Sequence, residues 1–183
     1  MIVEAVIVSL IIGFIRKGKV MNFAFIDIRG IYLFMLGALI QAVVFNLALP
    51  DVGGLRTWMY DYFYWLHLLT YLLIMVPLFL NKEFVGFILM GIGTLMNFLP
   101  IAANAGKMPV SLPDGYDPVF DLGHGLLTGA TRFKGLSDLI FIGPPYPLAK
   151  VLSIGDLFLV VGVFWFIQTV MTSEKIAKGE VTN

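Results

Sequence analysis

The chain has 183 residues, 59% of them hydrophobic and only 13% charged, with 12 Lys and Arg balancing 12 Asp and Glu and a mean hydropathy of +0.92. Soluble domains carry about 25% charged residues, so this apolar excess is more than one small water-soluble core hides, and a bilayer is the solvent that fits. Zero net charge offers no basic stripe for nucleic acid, and no cysteine with only two histidines excludes disulfides and thiolate- or histidine-built metal sites, so neither metal nor cofactor is expected.

In chain order, the first apolar run covers residues 1–15 and is closed by Arg16, Lys17 and Lys19. A cleavable signal peptide carries its positive charge before the apolar stretch, so the reversed order predicts a retained first helix. An amphipathic bridge over 20–30, with Asp27 and Arg29, leads to a second span at 31–50. Pro50, Asp51, Gly53 and Gly54 then make a turn, since Pro cannot continue a helix and Gly tolerates positive φ. The third span, 58–80, opens with Trp58, Tyr60, Tyr62, Phe63, Tyr64 and Trp65, the residue types that collect at headgroup level. Asn81, Lys82 and Glu83 turn the chain into a fourth span, 84–103, where Gly91 and Gly93 permit close approach of a neighbouring helix. Residues 104–150 form the longest polar stretch, rich in Pro and Gly, with an apolar patch at 136–142 that is expected to fold back as a half-helix. A fifth span, 151–172, precedes a short charged tail.

These elements predict an all-α fold, a single integral membrane domain over 1–183. It is a polytopic transmembrane helix bundle of about five spans with a structured extracytoplasmic loop. The ~10-residue alternation of a membrane β-barrel is missing. Cytoplasmic flanks of spans are enriched in Lys and Arg. An outside N-terminus and a cytoplasmic C-terminus put Arg16, Lys17, Lys19, Arg29, Lys82, Lys175 and Lys178 inside the cell and leave Arg56, Lys107, Arg132, Lys134 and Lys150 outside. The 104–150 loop then faces outward with Asp51, Asp114, Asp117, Asp121, Asp138 and Asp156.

Ionisable groups at membrane depth are expensive and therefore candidates for function. His67 lies about two turns inside the third span, between Tyr64 and Tyr71. Its plain reading is a neutral imidazole bonded to a tyrosine or a carbonyl. Asp61, Asn97, Gln41, Asn46 and Gln168 are expected to make polar contacts between helices, and Asn97 shares a face with Asn104 if the helix extends that far. In the outer loop, Asn104, Lys107 and Ser111 mark an unusual Gly- and Pro-containing exit from the fourth span. His124 is expected to be exposed, and Lys107, Arg132 and Lys134 sit where lipid phosphates are reached. Asn104, Lys107, Ser111, His124 and Arg132 are the candidate binding residues. Asp138 and Asp156 each have apolar neighbours. Two such aspartates that converge would share a proton and act as acid and base, whereas each alone reads as a helix-start cap.

The stretches NAGKMPVS at 104–111, LSDLI at 136–140 and VLSIGDLFLVVG at 151–162 together resemble a family of small polytopic bacterial membrane proteins of unknown function. That resemblance covers most of the chain and implies no activity. A looser resemblance, over 97–172, is to lipoprotein signal peptidase, a membrane aspartyl protease. Asn104 with Gly106, then Asp138, then Ile154, Gly155 and Asp156 occur in that family's order and on the same side, which would imply Asp138 and Asp156 as its catalytic pair. Ser153 stands where that family has Asn, Gly155 replaces its Ala, and no G-N-x-x-D-R precedes Asp138.

The residues leave three classes of function. One is a binding or accessory membrane protein that uses the outer loop, with membrane lipids or a lipid-modified or membrane protein as partner. A second is an aspartyl hydrolase acting on a membrane-embedded substrate. The third is a small transporter or channel subunit with a polar path along Asp61, His67, Asn97 and Gln168. No nucleotide-binding loop or nucleophile elbow is present.

Overall fold

The computed structural model describes residues 1–45, 54–113, 122–146 and 149–177, and the chain is mostly helical. Among the described residues seven α-helices follow one another: α1 (Ile2–Ile15), α2 (Ile31–Phe45), α3 (Leu55–Asp61), α4 (Phe63–Leu80), α5 (Val85–Ala103), α6 (Ile154–Thr172) and α7 (Glu174–Ala177). Among these, α4, α5 and α6 are long and apolar enough to cross a membrane, whereas α1 and α2 are apolar but shorter. The expected turn at Pro50, Asp51 and Gly53, together with Asn46, Asp114, Asp117, Asp121 and Lys178, falls outside the described residues.

Two expected boundaries are corrected. The aromatic stretch at 58–65 is not the start of one continuous helix. The chain breaks at Tyr62, whose φ of −101° and ψ of 8° leave the helical region, so α3 stands apart from α4. The helix of the fifth expected span, α6, starts at Ile154 and not at Val151, because Lys150–Leu152 is drawn into a strand.

Small residues set how closely the helices pack. On α1, Ala5, Ser9 and Gly13 recur every fourth position, form its buried stripe and face α6. Gln168 donates its amide to the Ser9 carbonyl at 2.6 Å, and Arg16 donates to Gln168 at 2.9 Å, the interhelical role expected of Gln168. Between α5 and α6 the backbones nearly touch. A Cβ at Gly86 would lie 2.6 Å from the Gly162 carbonyl, and one at Gly93 would lie 2.5 Å from that of Gly155. Gly93 thus does what its sequence implied. Gly91 does not, since the nearest atom a Cβ there would meet is on Leu78 at 3.9 Å. α4 packs between α2 and α5 and completes the bundle.

The bundle has two distinct ends. At one, Asn22 donates to the carbonyls of Val170, Met171 and Ser173, satisfying acceptors that the end of α6 leaves over. Asn81 there clamps the backbone of Arg29 from both sides, donating to its carbonyl and accepting from its N–H, and Arg29 pairs with Glu83 at 3.3 Å. The opposite end carries the long loop.

This loop contains strands, which corrects a purely α-helical expectation. β1 (Met108–Val110) pairs in parallel with β2 (His124–Leu126), and β3 (Ile140–Ile142) pairs antiparallel with β4 (Lys150–Leu152). No half-helix forms over 136–142. A short 3-10 turn, Lys134–Leu136, is followed by Ser137 in extended conformation and then by β3.

Candidate functional site

The three loop stretches singled out in the sequence are held together by backbone hydrogen bonds. Asp138 N–H donates to the Pro109 carbonyl, and Ser111 N–H donates back to the Asp138 carbonyl, both at 2.9 Å. Leu139 N–H donates to Leu152 at 3.1 Å. β1, at the exit of α5, therefore fixes the backbone of Asp138, and Leu139 ties that segment to the strand leading into α6. A residue so clamped on both sides has little freedom to turn its side chain back to water.

The Asp138 side chain points into a cavity of about 130 Å³ between the loop and the helix ends. Its walls include Gln41 of α2, His67 and Tyr71 of α4, Asn97 of α5, His124 of β2 and Asp156 of α6. The two aspartates therefore line one space. Asp138 is 5% exposed, and its Oδ1 has no hydrogen-bond partner among the described residues. Its Oδ2 lies 3.9 Å from Nε2 of His124. Burial, reinforced by the negative charge of Asp156 and opposed by His124, pushes the Asp138 carboxyl up to about 7.

Asp156 is held differently. It is the third residue of α6, and with Ser153 it forms a capping box. The Ser153 hydroxyl accepts from Asp156 N–H, while Asp156 Oδ2 accepts from Ser153 N–H. Its other oxygen accepts from the Asn97 amide at 2.9 Å, and the Asn97 carbonyl accepts from the Ser153 hydroxyl at 2.7 Å. Asp156 thus serves as a helix cap and as a cavity wall together. The Asn97, Ser153 and Asp156 ring forms where Gly93 and Gly155 bring α5 and α6 into backbone contact.

His67 is buried, with Nδ1 2.7 Å from the Gly106 carbonyl. A carbonyl only accepts, so Nδ1 carries the hydrogen, and the carbonyl partner expected for this ring is in place. His124 is not fully exposed as expected. β2 pairing with β1 brings it beside Asp138, half-buried. Asp61 ends the short helix α3 with an exposed side chain, and not inside a span as expected.

The remaining loop candidates lie apart from the cavity. Asn104, just past the end of α5, does not extend the face of Asn97. Its side chain instead clips the loop, donating to the Arg132 carbonyl at 2.9 Å and accepting from Arg132 N–H at 3.0 Å. Lys107 and Asn104 border a separate open groove of about 280 Å³ with Thr128 and Thr131. Arg132 and Ser111 are exposed. Tyr71 and Gly123 also line the cavity, and Ser153 bonds two residues that do, yet nothing in the sequence marks these three as site residues.

A family model described as a family of unknown function, DUF5317, matches residues 25–168. The chain belongs to the DUF5317 family. All the cavity residues named above fall within the matched region, which begins after α1. An uncharacterized protein of Thermotoga maritima is 25% identical over 173 residues, covering 91% of this chain and 89% of its own length. No solved structure matches this DUF5317 protein.

Proposed function

We propose that this DUF5317 protein is a multi-pass protein of the cell membrane that binds a small protonated amine in its loop-end cavity, between Asp138 and Asp156. One observation carries the reading, namely the buried, unpartnered Oδ1 of Asp138 facing a cavity that also holds a second carboxylate. A buried polar atom left without a partner is costly, and a ligand N–H would satisfy it. Among the described residues no Lys or Arg lines the cavity, so a small cation is the complementary charge. Among the described residues no cluster of three metal-ligating groups exists, which favours an amine over a metal ion. The volume corresponds to about four water molecules, enough for methyl- or ethylammonium.

Five spans with the N-terminus outside and the C-terminus cytoplasmic are part of the proposal. The distribution of positive charge supports it. Arg16, Lys17, Lys19, Arg29, Lys82 and Lys175 belong to the end of the bundle opposite the loop, against Lys107, Arg132, Lys134 and Lys150 in the loop itself, and the Arg16 to Lys19 cluster directly flanks a helix, where the positive-inside rule weighs most, which favours a loop outside.

The test is calorimetric titration of ethylammonium into the detergent-solubilised full chain. Saturable binding that Asp138→Asn abolishes without loss of fold is expected. Absent binding, or binding indifferent to that change, would defeat the proposal.

A second reading, a hydrolase with Asp138 as acid and Asp156 as base, is favoured by their contrasting surroundings in one cavity: Asp138 is raised toward neutrality, while both Asp156 oxygens accept hydrogen bonds. It requires cleavage of a lipoprotein precursor that both Asp138→Asn and Asp156→Asn eliminate. An intact precursor with the unaltered protein removes it.

A further inference from the structure

We propose that a groove between α1 and α6, on the loop side of the bundle, holds the acyl chain of a membrane phospholipid, with the lipid's phosphate against Lys150. The groove encloses about 470 Å³, and its walls are almost entirely aliphatic or aromatic, including Val8, Ile142, Leu157, Val161 and Phe164. Val8, Leu157 and Val161 are each close to half exposed, so the groove opens sideways along the helix pair. In a membrane-spanning bundle that side faces hydrocarbon.

The groove is closed at its loop end by polar groups. Lys150 of β4 donates to Glu4 of α1 at 2.5 Å and to the Tyr146 hydroxyl at 3.2 Å, and Tyr146 in turn donates to Glu4. The hydrogen bond to Glu4 holds the Lys150 ammonium above its ordinary range, so it stays charged at any physiological pH. An ammonium has three donors, and Glu4 and Tyr146 take two, leaving one for a phosphate oxygen. From Leu157 to Phe164 the helix rises about 10 Å, against roughly 15 Å for the hydrocarbon of one leaflet. An acyl chain fits that depth with its headgroup at the polar rim. A transmembrane helix of another protein does not fit as well, because the β3–β4 hairpin carrying Ile142 and Lys150 roofs the groove and would block its continuation.

Photocrosslinking tests this. The full chain is reconstituted in phospholipid vesicles containing a phospholipid with a diazirine on its acyl chain, and the labelled residues are mapped by mass spectrometry. Labelling concentrated on the groove walls of α1 and α6 is expected. Val161→Trp, which fills the groove from an exposed position, should lower that labelling at least about fivefold by removing the contact area, while Leu39→Trp on α2 leaves it unchanged. Lys150→Gln should lower it as well, with Tyr146 and Glu4 still in place. Labelling spread evenly over α1, α2 and α4, labelling of the groove undiminished by Val161→Trp, or crosslinks to a second protein chain there would each overturn the proposal. Melting temperatures of the variants equal to that of the parent exclude unfolding as the cause of a loss.

Discussion

Replacing Asp138 with asparagine probes the buried carboxylate through its own electrostatics. The side chain is buried, and its acidity moves from an ordinary 3.8 to about 7, first through desolvation and then through the charge of Asp156. At about 1.4 kcal/mol per pH unit, this corresponds to on the order of 4 kcal/mol in favour of the protonated form within the folded chain. The folded pKa lies above the unfolded one, so this contribution is fully present below about pH 4 and is lost as pH rises through about 7. Asparagine has the same shape and carries no charge at any pH. Asp138→Asn is therefore expected to melt with the parent near pH 3.5 and well above it at pH 8.5, by on the order of 10 °C for a chain of this length. The assay is thermal unfolding of the detergent-solubilised full chain across that range, and the difference between the two proteins isolates Asp138 from every other titrating group. A pH-independent difference, or a variant less stable than the parent at pH 8.5, would refute the assignment of a buried, unpaired carboxyl.

At the α5 and α6 contact, Gly93→Ala would place a Cβ 2.5 Å from the Gly155 carbonyl, and a loss of about 1–3 kcal/mol or more is expected, while Gly91→Ala should be neutral or stabilising. The paired melting curves check this, and equal losses would mean the helices do not approach at Gly93. His67→Gln retains a donor for the Gly106 carbonyl and should be mild, whereas His67→Leu leaves that buried acceptor bare and should cost about 1–3 kcal/mol; similar melting of both would contradict the bond. Reporter fusions after Lys19, after Lys82, at position 120 and after position 183 should read inside, inside, outside, inside, and any other pattern would overturn the proposed topology.

Much of the helical framework is legible in the sequence because long apolar runs have one economical conformation in a bilayer. The break at Tyr62 is not, since nothing in Trp58, Tyr60, Tyr62 and Phe63 marks a helix boundary. The strands of the loop are hidden for a different reason. Each is three residues long, and Met108–Val110 or Ile140–Ile142 finds its partner only through a non-local pairing that no local pattern announces. The site was half visible. Asp138 and Asp156 stand out as carboxylates among apolar neighbours, and both line the cavity. Asn97 reads only as a polar residue within a span. Its bonds to Ser153 and Asp156 depend on the register of α5 against α6, which Gly86, Gly93, Gly155 and Gly162 set together. His124 looks like loop until β2 pairing carries it to Asp138.

The most direct test of the central proposal is proton release on ligand binding. If a protonated amine pairs with Asp138, it needs the ionised carboxylate, so binding near pH 7 must expel the proton from those molecules that hold one. Ethylammonium is titrated into the full chain in two buffers of different ionisation enthalpy, at pH 6, 7 and 8. The expected result is net release of about half a proton per bound amine at pH 7, with affinity about tenfold higher at pH 8 than at pH 6, as the ionised fraction dictates. Binding with no proton release and no change in affinity across that range would contradict the assignment of Asp138 as the group that receives the ligand.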